Sequence, residues 1–188
     1  MTGPNYIVIQ GAGEGAYEED RHFAAMVQEQ VGNARRVAYP KINGLETLDW
    51  STAKTELEAA LNEAGDGCVV VAHSLGGASI LKLLSEGANV PRIEAFYLVA
   101  TPYKGKDGEF GADAFAMEPD FGDRLPQFGL LKFYHSQDDE FVPVAHIERY
   151  AEKLPTADVE IVDGQGHQFA AKPFTELARD MKAISTAA

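Results

Sequence analysis

The chain has 188 residues, 45% of them hydrophobic, a size and composition that suit one domain with a substantial core. Its 29 acidic against 16 basic residues give a formal net charge of -13, which disfavours nucleic acid and anionic membrane surfaces as partners because both repel a polyanion. One cysteine excludes an internal disulfide, and the start of the sequence has neither a basic-then-apolar leader nor a spanning segment, so the expected compartment is the cytoplasm.

Taken in chain order, Tyr6-Ile7-Val8-Ile9 reads as a first strand near residues 5–10, followed by a glycine-rich turn and a helix near 17–31. Gly11-Ala12-Gly13-Glu14-Gly15 in that turn resembles part of a dinucleotide-binding fingerprint, but its spacing is G-x-G-x-G. The second strand, near 35–39, does not end in the acid that should hold a ribose, and Glu14, Glu18, Glu19 and Asp20 would repel a pyrophosphate. The glycines instead let a backbone N–H approach a substrate; Ala12 is the chosen donor, with Gly11 or Gly13 as its neighbours. A helix near 46–63 leads to a third strand near 67–72, and Ala72-His73-Ser74-Leu75-Gly76 then breaks into a helix near 75–86. A serine on so sharp a strand-to-helix turn has its hydroxyl lifted out of the sheet, and Ala72 and Gly76 are small as a tight turn requires. The alternative is an ordinary turn capped by Ser74.

A fourth strand near 93–100 is followed by a long irregular stretch, about 101–128, in which Phe110, Phe115, Met117, Phe121 and Phe128 are interleaved with glycines and acids. It reads either as a short lid or pocket wall, or as a surface excursion whose aromatics pack on the core. As a lid, its acids favour small neutral or cationic acyl compounds over polyanions. The fifth strand, near 130–135, runs into the acidic loop Ser136-Gln137-Asp138-Asp139-Glu140-Phe141-Val142-Pro143 and a helix near 143–154. The sixth, near 158–162, leads to Asp163-Gly164-Gln165-Gly166-His167 and a last helix near 170–185. This alternation implies an α/β fold, a three-layer α/β/α sandwich with about six mostly parallel strands.

A serine hydroxyl is a weak nucleophile at neutral pH and needs a base, which in turn needs an orienting carboxylate. Ser74, an aspartate at 138 or 139 and His167 follow three separate strands, where catalytic groups of open α/β sheets collect. Leu75 N–H, directly after the serine, and Ala12 N–H would then hold the oxyanion. His22, His73, His135 and His146 read as helix, elbow or strand-end residues, and their scatter with Cys68 offers no zinc cluster. No metal or organic cofactor is expected.

The residues Gln10-Gly11-Ala12-Gly13, Ala72-His73-Ser74-Leu75-Gly76, Asp138 to Pro143 and Gly166-His167 together resemble an α/β-hydrolase, among these the small single-domain serine hydrolases related to retinoblastoma-binding protein 9 and its bacterial esterase-like relatives. The likeness spans nearly the whole chain. It implies that the acid is Asp139, first residue of an Asp-x-x-hydrophobic-Pro run, and that His167 is the general base. Ala72 stands where glycine is usual, and Gln10 where many lipases and esterases have histidine. The expected activity is a carboxylesterase acting on a small-molecule acyl substrate, with thioesterase or peptidase activity behind it. Because a histidine must be neutral to act as a base, activity should fall on acidification. A binding or regulatory module on a hydrolase scaffold is the reading from another class. The oligomeric state stays open.

Overall fold

Side chains alternate across each strand, so one chain segment supplies two cores. Tyr6, Val8, Val69, Val71, Tyr97 and Val99 face one side of the sheet, while Ile7, Ile9, Val70, Ala72, Phe96 and Leu98 face the other. Both sides are covered, which is why Cys68–His73 reads as an almost unbroken apolar run rather than an alternating one. The computed structural model describes residues 5–33 and 35–187. Residues 1–4, part of the stretch on which the expectation of no leader rests, lie outside the described residues.

The strands are β1 (Tyr6–Ile9), β2 (Val37–Ala38), β3 (Cys68–His73), β4 (Ile93–Val99), β5 (Leu130–Ser136) and β6 (Asp158–Val162). They form one parallel sheet in the order β2-β1-β3-β4-β5-β6. The order reverses between β1 and β3, and the crevice outside the carboxyl ends of strands at such a switch point is where open sheets bind ligands. β6 closes one edge, with Val159 and Ile161 exposed on it.

The helices are α1 (Ala16–Glu19), α2 (Arg21–Val31), α3 (Asn43–Glu46), α4 (Trp50–Ala64), α5 (Leu75–Ser85), α6 (Ala145–Lys153) and α7 (Thr175–Ala187). Phe23 and Val27 of α2 and Leu177 and Met181 of α7 cover one face; Leu57, Leu61, Ile80, Leu84, Ile147 and Tyr150 cover the other. Each large side chain so buried contributes about 1.5–3 kcal/mol. The result is the three-layer sandwich expected. Among the described residues no helix is long and apolar enough to cross a membrane.

Several helix boundaries differ from the sequence reading, each for a local reason. The helix expected at 17–31 is broken at Asp20, whose carboxylate turns inward to the Gly11 N–H at 2.6 Å. The one expected at 46–63 is split by Leu48 at φ 56°, after which Asp49 caps α4 by accepting from Ser51 N–H at 3.0 Å. The last helix starts at Thr175 rather than 170, because Pro173 disfavours helical backbone before it. Most of the large apolar side chains singled out in the 101–128 stretch pack inward: Phe115, Met117 and Phe121 are buried, and a short 3₁₀ turn spans Phe121–Arg124. Phe110 instead packs against the His146 ring, with centroids 4.6 Å apart.

Candidate active site

Ser74 follows β3 with φ 49° and ψ -130°, a region that L residues rarely occupy. Its N–H donates to the Val99 carbonyl at 2.8 Å, which anchors the turn to β4. The glycine two residues on is required, though the nearest obstacle is not Ala72. A Cβ on Gly76 would lie 2.1 Å from the Gln10 carbonyl oxygen at the end of β1. Close approach of α5 to the β1 loop therefore sets the small residue at 76.

The structure brings Ser74, Asp139 and His167 together from β3, β5 and β6. His167 Nε2 lies 3.1 Å from Ser74 Oγ, and Nδ1 lies 2.8 Å from Asp139 Oδ2. An Nδ1–H donated to the carboxylate leaves Nε2 as an acceptor facing the hydroxyl. Asp139 Oδ1 accepts from the N–H groups of Phe141 and Val142 at 2.9 and 2.8 Å, and its side chain is fully buried. Burial alone would raise its pKa, but hydrogen bonds from His167 and the Val142 N–H outweigh burial and hold it below the ordinary value. His135 lies beneath, donating from Nε2 to the Val142 carbonyl at 2.7 Å; burial pulls its pKa down.

Adjacent acids in one loop have separate tasks. Asp138 accepts instead from Ser136 Oγ and, at 3.1 Å each, from the N–H groups of Gly164 and Gly166. It therefore clamps the loop that carries His167. Those hydrogen bonds, led by the one from Ser136, keep the Asp138 carboxyl below its usual range.

Near Ser74, the Gly11 N–H is committed to Asp20 and the Gly13 N–H to the Leu45 carbonyl at 3.2 Å. Among the described residues Ala12 N–H has no such internal acceptor, and Leu75 N–H begins α5 where helical N–H groups have no partner within the helix. A cavity of about 380 Å³ opens over Ser74. Ala12, Leu75, Phe110, Phe141 and Val142 give it a mainly apolar lining, with Glu19, Asp20 and Lys104 as charged members. Phe141, 65% exposed, sets its ring 5.4 Å from that of His167. Four acids of the 101–128 stretch are ion-paired: Asp107 with Lys153, Asp113 with Lys104, Glu118 with Lys106 and Asp120 with Arg124. The negative field that the charge preference drew on is to that extent neutralised. Among the described residues no group of three or more His, Cys, Asp or Glu side chains is placed to hold a metal ion.

Sequence reasoning missed the inward role of Asp20, which is buried although it ends a run of exposed acids. The signal was positional: Asp20 stands four residues after Ala16 and three before Phe23, both buried, and so on the inner face.

The family described as serine hydrolase matches residues 6–185 of this chain. No curated protein sequence matches it. Among solved structures, Est1E from Butyrivibrio proteoclasticus is similar with a TM-score of 0.70 and 16% identity, the match covering 100% of this chain and 90% of that one. The ydeN gene product from B. subtilis gives a TM-score of 0.74 and 15% identity over 98% of this chain and 100% of that one. The 2-hydroxy-6-oxo-6-phenylhexa-2,4-dienoate hydrolase from Rhodococcus sp. strain RHA1 gives 0.74 and 14% over 99% and 91%. At these identities the likeness is one of fold, the α/β-hydrolase fold.

Proposed function

The chain belongs to the serine hydrolase family, and we propose that it is a cytoplasmic carboxylesterase that cleaves small acyl esters through a covalent intermediate on Ser74. The observation that carries this reading is the hydrogen-bonded line from Asp139 through His167 to Ser74, 2.8 and 3.1 Å, which ends at the 380 Å³ cavity. His167 Nε2 takes the hydroxyl proton as Ser74 Oγ bonds to the ester carbonyl carbon. Asp139 keeps the imidazole in the tautomer that accepts at Nε2 and stabilises the imidazolium that forms. The oxyanion is held by the N–H groups of Ala12 and Leu75, one such donor being worth about 3–4 kcal/mol in related chemistry.

Collapse of the tetrahedral adduct breaks the ester C–O bond, and His167 returns the proton to the leaving alcohol. Water then attacks the acyl-enzyme with His167 again as base, releasing the acid and restoring Ser74. The apolar lining formed by Leu75, Phe110, Phe141 and Val142 supports a compact, mainly apolar acyl group. Esters come before thioesters and amides because their cleavage demands least of the site.

The test is intact-mass labelling with a fluorophosphonate, followed by hydrolysis of p-nitrophenyl acetate. Stoichiometric labelling is expected in the wild type, none in Ser74→Ala, none in His167→Ala, and slow labelling in Asp139→Asn. A folded wild type that neither labels nor hydrolyses the ester would overturn the reading in favour of a binding module. Faster cleavage of the matching thioester or anilide would replace the ester class.

A further inference from the structure

A second Asp–His pair lies directly behind the nucleophile, and the mechanism above makes no use of it. His73, the residue before Ser74, is buried; its Nδ1 sits 2.7 Å from Asp20 Oδ2 and its Nε2 sits 3.0 Å from the His167 carbonyl oxygen. Asp20 Oδ2 also accepts from the Gly11 N–H at 2.6 Å. This carboxylate is buried too; burial favours the neutral acid, but the charge and hydrogen bond of His73 prevail and its pKa is lowered. Both ring nitrogens of His73 therefore face acceptors. A neutral imidazole has one donor and one acceptor nitrogen, so it would set a lone pair against one of these oxygens; the imidazolium alone satisfies both.

Through its two ring contacts and its own backbone, His73 is joined to three parts of the proposed site. Through Asp20 it reaches Gly11, the neighbour of Ala12, which lines the cavity and is the proposed oxyanion donor. Through its own backbone it adjoins Ser74, and through Nε2 it holds the main chain of His167. We propose that His73, as an imidazolium paired with Asp20, is a positioning residue that keeps the Ala12 loop and the His167 loop in register about Ser74. The inference rests on the esterase reading.

The groups facing His73 are few. The His167 ring lies 4.9 Å away and the Phe23 ring of α2 lies 5.0 Å away, centroid to centroid. His22 repeats the pattern one step outward, with Nδ1 2.9 Å from the Glu19 carbonyl and Nε2 2.9 Å from the Gln168 carbonyl. Consecutive carbonyls of the base loop are thus tied by imidazoles to the segment around Asp20. Tyr39, beyond β2, also feels the Asp20 charge, and burial followed by that charge pushes its phenol up.

Long-range ¹H–¹⁵N spectra of the wild type at pH 8, with the ring assigned by its loss in His73→Gln, read the protonation directly. Both His73 nitrogens are expected at imidazolium positions, and Asp20→Asn is expected to convert the ring to a neutral tautomer. With p-nitrophenyl acetate, Asp20→Asn should lower kcat by about 10- to 100-fold, the scale of a small misplacement of reacting groups, while KM changes by less than about threefold. A neutral ring in an active wild type overturns the proposal, and so does an Asp20→Asn variant with a neutral ring and unchanged kcat. If Asp20→Asn does not fold, the wild-type spectrum decides. An imidazolium in a wild type that neither labels with fluorophosphonate nor turns over ester removes the esterase reading and, with it, the purpose assigned to the pair.

Discussion

Replacing Ser74 by alanine and, separately, by glycine converts the geometry of the elbow into a sign that can be measured. At φ 49° and ψ -130°, a residue with a Cβ is strained by about 1–3 kcal/mol. Both variants lose the hydroxyl and its 3.1 Å contact with His167, so that loss cancels between them. Alanine keeps the strain; glycine relieves it and gives up about 0.5–1 kcal/mol of chain entropy. At the middle of these ranges Ser74→Gly is more stable than Ser74→Ala by about 1 kcal/mol, or about 2–4 °C in Tm for a chain of this size. At an unstrained position the order is the reverse. Scanning calorimetry of both proteins at pH 7 provides the comparison, and an alanine variant melting at or above the glycine variant would refute the argument.

Gly76→Ala is expected to cost about 1–3 kcal/mol by overpacking, because its Cβ would meet the Gln10 carbonyl at 2.1 Å. The same displacement moves the Ala12 loop, so kcat for p-nitrophenyl acetate should fall about 100-fold; full activity in a folded variant would show that the loop yields without consequence. Asp180 accepts from Lys132, Tyr134 and Arg179 at 2.5, 2.6 and 2.8 Å. Although burial acts to raise it, these bonds bring its pKa down to about 2. Its contribution to stability is therefore full above the unfolded value of about 3.9 and fades as pH falls toward 2. Asp180→Asn should lower the urea midpoint at pH 7 by the equivalent of about 1 kcal/mol, with the gap narrowing as pH falls through the unfolded value and closing only below about pH 2. Phe141→Ala, at an exposed ring beside His167, should leave Tm within about 2 °C and raise KM for apolar acyl esters several-fold. An unchanged KM removes Phe141 from the acyl site.

The strand sequence and the elbow were legible because each rests on local rules: apolar runs of strand length, small residues around Ser74, and loops that follow each strand. The choice between Asp138 and Asp139 was not available from spacing, since both stand in one loop. It is made by main-chain direction, with the Asp139 N–H turned back to the Ser136 carbonyl at 3.2 Å and Asp138 facing the N–H groups of Gly164 and Gly166. Asp20 was hidden among Glu18 and Glu19, and only contact with Gly11 and with His73, 53 positions away in the chain, separates it from its neighbours. Ala12 was singled out as a donor by loop type; what distinguishes it from Gly11 and Gly13 is where those two N–H groups are spent. The break before α4 was unreadable for the same reason, being set by Leu48 in a left-handed conformation.

The proposed nucleophile and its partners do not share equally in the sheet. Ser74 follows β3, which is hydrogen-bonded to strands on both sides, whereas His167 follows β6, which has a neighbour on one side only. Openings of a folded protein begin where fewest contacts restrain the chain, and the edge strand frays at lower free energy than the centre. Detachment of β6 carries His167 away from Ser74 and leaves the central strands paired. Warming would then silence the serine first, while the interior stays closed to solvent, so inactivation and melting become two separate events on the temperature axis.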